Sequence, residues 1–150
     1  MSLRVLREDI DRGAAQLEYP RQCKLGCKDC CVDALTVFEI EAEEIRRHHP
    51  EVLASAPHPP GACAFLSAEG ACRIYAHRPY VCRTQGLPLR WTDEDVEYRD
   101  ICPLNDDPSR PIEALAPEEC WTLGPVEARL AALQPDGARI ALRALFVQAS

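Results

Sequence analysis

The chain has 150 residues, a formal net charge of −7, a hydrophobic fraction of 47% and nine cysteines. That length and apolar content suffice for a core that needs no metal to exist. The acidic balance argues against a sequence-independent grip on nucleic-acid phosphates and against an anionic membrane surface.

Leu3, Leu6, Ile10, Ala14 and Leu17 recur at three- and four-residue steps, which predicts an amphipathic helix from about Leu3 to Glu18, stopped by Pro20. The first twelve residues mix Arg4, Arg7, Glu8, Asp9 and Asp11 with apolar positions, so no secretory leader is expected. No apolar run approaches the roughly 18 residues of a membrane span. A second helix follows the first cysteines. Thr36 and Glu39 have capping-box spacing, and Phe38, Ala42 and Ile45 form its inward face. Glutamates 39, 41, 43 and 44 crowd its start, while Arg46, Arg47, His48 and His49 sit at its end before Pro50. The helix macrodipole accounts for that polarity, histidines included.

Ala56 to Gly61 reads as a rigid loop with an exposed His58. Cys63 to Cys82 reads as irregular loops with one helical turn near Arg73–His77. Leu87–Trp91 and Val96–Arg99 flank the acidic turn Thr92-Asp93-Glu94-Asp95 and predict a β-hairpin. Asn105 to Pro111 is a further loop. Residues 117–149 are predicted helical, with Pro117 and Pro125 at first-turn positions. Val126, Leu130 and Leu133 form one stripe; Ile140, Ala144 and Val147 form another after the break at Pro135-Asp136-Gly137. The expected fold is α+β: a single α-rich domain over 1–150, with a small β-hairpin and a loop-rich cysteine-cluster metal site.

The cysteines carry the chemistry. In CKLGCKDCC, Cys23, Cys27, Cys30 and Cys31 are separated by three, two and no residues. Such gaps let a tight turn aim two thiolates at one ion about 2.3 Å from each sulfur. Gly26 gives the turn backbone freedom, and Lys24 and Lys28 favour the thiolate form. Neighbouring side chains point apart, so Cys30 and Cys31 either divide into ligand and structural thiol or serve different ions. An odd cysteine count spoils complete disulfide pairing, and clustered cysteines without a leader point to metal binding in a reducing cytoplasm. Four more follow, Cys63, Cys72, Cys82 and Cys102, in CAFL, CRIYAHRPYVCR and ICPL.

These pieces, spanning about Arg21 to Leu104, resemble the CxxCxxCC zinc- or iron-chelating family, also called YkgJ-like cysteine-cluster proteins. The resemblance implies a bacterial metal-chelating domain. It carries ligand candidacy to Cys23, Cys27, Cys30, Cys31, Cys63, Cys72, Cys82 and Cys102. Cys120 lies outside the matching stretch and is expected to be a buried thiol near Trp121. Arg78 and Arg83 are expected to offset thiolate charge or donate to sulfur, while Arg73 is as well explained as a surface residue. Tyr75 and Tyr80 are read as packing aromatics and His77 as a bystander.

Two kinds of function stay open. One is a binding module that holds zinc or iron, in storage, delivery or sensing or as a platform for a protein partner. The other is a redox or methyl-transfer enzyme, or an accessory protein, built on an iron–sulfur centre such as a 4Fe-4S cluster. The same cysteine cluster occurs in flagellin lysine N-methylases. The C-x3-C-x2-C spacing of Cys23, Cys27 and Cys30 also matches radical-SAM enzymes. Their barrel needs about 200 residues or more and alternating strand–helix units, which this chain lacks. Sulfur-only ligation suits zinc and iron–sulfur alike, and a single metal site with the remaining thiols folding the loops around it is the preferred arrangement.

Overall fold

The computed structural model describes residues 2–19 and 31–146. The predicted stop at Pro20, the ligand candidates Cys23, Cys27 and Cys30, and the apolar Val147 lie outside the described residues.

The fold is α+β. Helix α1 (Leu3–Gln16) opens on Ser2, whose hydroxyl accepts the Val5 N–H at 3.2 Å. It ends two residues before Glu18, and Leu3, Leu6, Ile10 and Ala14 are buried as the spacing requires. Strand β1 (Thr36–Phe38) leads directly into α2 (Glu39–His48), followed by the single turn α3 (Pro50–Leu53). A 3-10 turn at Tyr75–His77 and the single turn α4 (Tyr80–Arg83) come next. Strands β2 (Leu89–Asp93) and β3 (Val96–Asp100) form the expected hairpin, shifted toward the C-terminus. Glu94 and Asp95 both take positive φ, 48° and 66°, the primed-turn geometry that suits hairpin twist. Strand β4 (Trp121–Thr122) pairs parallel to β2, giving the order β3-β2-β4.

Helix α5 (Pro125–Leu133) begins at a proline, and Pro117 likewise opens a 3-10 turn, as their placement predicts. Beyond them the C-terminal part departs from expectation. Arg139–Ala141 is not helical but forms strand β5, antiparallel to β1 with Val37 opposite Ile140, and Leu142–Leu145 is a 3-10 turn. The cause is tertiary: the break at Gly137 (φ 65°) turns the chain back onto β1, and the Leu142 N–H reaches the Leu35 carbonyl at 2.9 Å. The second helical stripe dissolves with it; Leu142, Leu145 and Phe146 are buried and Ala144 is exposed.

The capping box is also replaced. Thr36 lies in β1, and Phe38 caps α2 without a side-chain hydrogen bond. Two distant groups accept the first helical donors instead: the Ala138 carbonyl takes the Glu39 N–H at 3.0 Å, and Gln134 Oε1 takes the Ile40 N–H at 2.7 Å.

Two apolar clusters hold these elements. Leu3, Leu6 and Ile10 of α1 pack with Tyr80, Val126 and Leu130, and the Arg129–Asp9 ion pair at 2.7 Å ties α5 to α1. Gly13 permits the close approach of α1 to Trp121; a Cβ there would stand 3.1 Å from the indole Cζ3. The other cluster gathers Val37, Ala42, Ile45, Phe65, Ile74, Leu142, Leu145 and Phe146. Cys63 and Cys72 pack at its edge, so the thiols are seated against a rigid apolar body.

Candidate metal centre

Cys31 and Cys63 come together through backbone and ion pairing. The Cys63 N–H donates to the Cys31 carbonyl at 3.0 Å. Two residues beyond Cys31, Asp33 accepts the Gly61 N–H at 3.0 Å and the Arg143 Nε–H at 3.1 Å. Those donors hold the Asp33 carboxyl down at about 2, with the Gly61 amide the strongest influence. Arg143 also donates to the His58 carbonyl at 2.6 Å and the Ala62 carbonyl at 2.9 Å. The loop expected to be rigid is thus fastened by Arg143, with His58 half-buried rather than exposed, and its far end sets Cys63.

From Cys63 the chain makes a short hairpin. Leu66 bridges antiparallel to Cys72, and the Arg73 N–H donates to the Phe65 carbonyl at 3.0 Å. Gly70, at φ 83°, supplies the turn. Cys82 follows on α4, its N–H donating to Pro79 at 3.0 Å. Burial pushes the Cys82 thiol up to about 12, and the charges of Cys63, Cys72 and Cys31 act in the same direction against Arg78. Burial also raises Cys72, opposed by the Ile74 N–H hydrogen bond to its sulfur. Cys31, Cys63 and Cys72 thus lie near enough to Cys82 to act on it electrostatically. The raised Cys72 and Cys82 favour the protonated thiol, a poor nucleophile. A soft cation among them would convert them to thiolates, and this sulfur donor set fits zinc or iron. Among the described residues, no three His, Cys, Asp or Glu side chains yet close around one point.

The arginines near these cysteines are staples for the loop. Arg73 donates to the Phe65, Ala56 and Ala64 carbonyls and to Ser55 Oγ. Arg78 donates to the Tyr75 carbonyl at 3.1 Å and the Cys82 carbonyl at 3.3 Å, with its guanidinium 3.9 Å from the Tyr75 ring centre. Arg83 donates to the Arg78 and Ala76 carbonyls and pairs with Asp11 at 2.7 Å. Their hydrogen bonds among the described residues go to oxygen, so the expected donation to sulfur is replaced by backbone bracing. Of the two arginines expected to offset thiolate charge, Arg78 favours the thiolate at Cys72 and Cys82; Arg73, rather than Arg83, joins it at Cys72.

Two cysteines lie later in the chain. Cys102 is partly buried before the turn Pro103–Asn105, which the buried Asn105 ties to the Gly86 carbonyl at 2.8 Å. Cys120 is buried in a different apolar cluster with Tyr19, Ile112 and Leu115, in keeping with a structural thiol. Tyr80 packs in the α1 cluster, its hydroxyl accepting the Trp121 Nε1–H at 3.0 Å.

Two features escaped the sequence. Arg143 and Asp33, 110 residues apart, carry no local motif. His77, taken for a bystander, meets both His48 and His49. Only the high share of histidines at the end of α2 hinted at it.

Clustered, partly buried thiols braced by arginines around one loop-rich flank define a cysteine-cluster metal-binding protein. Residues 22–103, more than half of the chain, match the CxxCxxCC family, described as a "putative zinc- or iron-chelating domain", and the chain belongs to that family. No curated protein and no solved structure matches it.

Proposed function

We propose that this protein is a metal-binding module whose cargo or structural ion is zinc or an iron–sulfur centre. The ligands are drawn from Cys23, Cys27, Cys30, Cys31, Cys63, Cys72, Cys82 and Cys102. One observation carries the reading: Cys31, hydrogen-bonded through its carbonyl to the Cys63 N–H, acts together with Cys63 and Cys72 on the buried Cys82. A metal there would offset the burial that raises the Cys72 and Cys82 thiols, releasing protons as it binds. The clustering of many of its nine cysteines suits a reducing compartment, and we assign the protein to the cytoplasm. No helix among the described residues is long and apolar enough to cross a membrane.

The test is metal stoichiometry across cysteine variants. Cys31→Ser and Cys82→Ser should each lose metal, whereas Cys120→Ser should keep it. Full metal content in both of the first two would contradict the assignment.

A further inference from the structure

The outer end of the β2–β3 hairpin carries aromatic rings into solvent. Residues 92–98 are all exposed, Val96 at 52% and Tyr98 at 44%. The Trp91 and Tyr98 rings, opposite each other in the register, stack with centroids 5.8 Å apart and planes within 19°. Strand alternation puts them on one face, with Leu89 and Asp100 at its base and Asp93 and Val96 at its tip. Trp121 of β4, the partner of Leu89, shares that face and packs against the α1 cluster. The face that covers the core at the base of the hairpin thus continues outward as exposed rings.

The hairpin's cations go the other way. Arg90 and Arg99 alternate onto the opposite face, where Arg90 donates to Thr122 Oγ1 at 2.9 Å and Arg99 to the Ile112 and Leu115 carbonyls. Both also pair with Glu97. The aromatic face keeps carboxylates: Asp93 at the tip, Asp100 at the base, where it also accepts the Ile101 N–H, and Glu94 and Asp95 in the adjoining turn. Open ring faces bordered by carboxylates attract Lys or Arg side chains through the ring quadrupole and through charge.

A cleft opens at the base of the same face. Its volume is about 240 Å³, and Val37, Phe38, Leu89, Leu123 and Leu130 line it together with the carboxylates Glu41 and Glu127. Arg139 also borders it, but its guanidinium donates to Thr36 and lies over the Phe38 ring. Pockets that enclose a whole small molecule run to about 300–1,000 Å³, so this cleft suits one anchoring side chain better. Leu89 lines the cleft, and Trp91 follows on the same face roughly 7 Å along the strand. One extended segment can therefore span cleft and rings. We propose that they form a single docking surface for a segment of a partner protein in which a leucine-like anchor is flanked by lysine or arginine. The anchor fills the cleft, and the basic side chains lie over Trp91 and Tyr98 and toward Asp93. This goes beyond the cysteine centre and does not depend on it.

The full chain is titrated into a fluorescein-labelled peptide of alternating lysine and leucine while anisotropy is followed. The expected result is saturable binding, weakened about tenfold or more when glutamate replaces the lysines or serine replaces the leucines. Tyr98→Ser and Asp93→Lys should each weaken it about fivefold or more. Glu69→Lys, the same charge change on the hairpin between Cys63 and Cys72, should leave it unchanged. These three side chains are exposed or lie at a turn, and an unchanged melting temperature shows that the variants fold. No saturable binding by the parent protein would overturn the proposal. So would equal binding of the glutamate peptide, or parent-like binding by both Tyr98→Ser and Asp93→Lys. A dimer of the parent protein that Tyr98→Ser dissolves would give the face to a second copy and overturn it as well.

Discussion

Arg143→Met isolates the clamp that brings Cys31 to Cys63. The guanidinium bridges Asp33, two residues past Cys31, to the carbonyls of His58 and Ala62, one residue before Cys63. Methionine keeps the hydrophobic stem and removes every donor. The two carbonyl contacts are part-buried hydrogen bonds from a charged donor, each about 1.5–3 kcal/mol before water takes over part of the role. With the Arg143 side chain 28% exposed, a net loss of about 2 kcal/mol is expected. For a chain of this size that lowers the melting temperature by roughly 4–8 °C. Metal affinity should fall about 10- to 100-fold, the usual cost of losing a group that orients ligands. Leu130→Ala provides the comparison. It opens a cavity in the α1–α5 cluster, away from the cysteines, and costs about 2–5 kcal/mol. Circular dichroism gives the melting temperature, and competition with a chromophoric chelator gives the affinity. If Arg143→Met and Leu130→Ala lowered metal affinity equally, or Arg143→Met left it unchanged, the clamp would have no role in shaping the site.

Three further outcomes are expected. Cys27→Ser should lose bound metal and melt lower than the parent protein, because metal binding is linked to folding. Glu41 is buried, and that burial raises its pKa even though its carboxylate accepts the Tyr80 N–H at 2.6 Å. A raised carboxyl favours the fold most below about pH 4 and does so less as pH rises through its folded value. Glu41→Gln should therefore gain more stability over the parent at pH 8 than at pH 5; an equal difference at both would show that Glu41 is not the source. Arg7 is buried on α1 with Nε and Nη2 lacking hydrogen-bond partners among the described residues, and burial lowers its pKa to about 10. Arg7→Met should match or exceed the parent's melting temperature, since it replaces an incompletely satisfied charge with an apolar stem. A drop of more than a few degrees would reveal a favourable partnership with Glu41.

What was legible in the sequence followed local rules. Helix α1 obeys its three- and four-residue spacing, and the acidic turn marks the hairpin. The cysteine spacing announces metal chemistry without any fold. What was hidden depends on partners far away in the chain. Strand β5 exists because Thr36–Phe38 offers it an edge, so an apolar period at Ile140 and Ala144 misleads when read alone. Gln134, rather than Thr36, serves the start of α2 because the turn after α5 delivers its amide there. The cysteines were visible as a pattern, but their alignment rests on Asp33 and Arg143, which look like ordinary charges. The ring contacts of His77 arise only because α2 places His48 and His49 against it.

The most direct test of the central claim is metal content and visible absorption of protein purified without oxygen and without a chelating tag. The account predicts bound metal: one or two zincs in a colourless protein, or iron with acid-labile sulfide in a brown one, about four irons for a cubane cluster. Protein that folds normally with neither zinc nor iron, and takes up neither when offered, would contradict it.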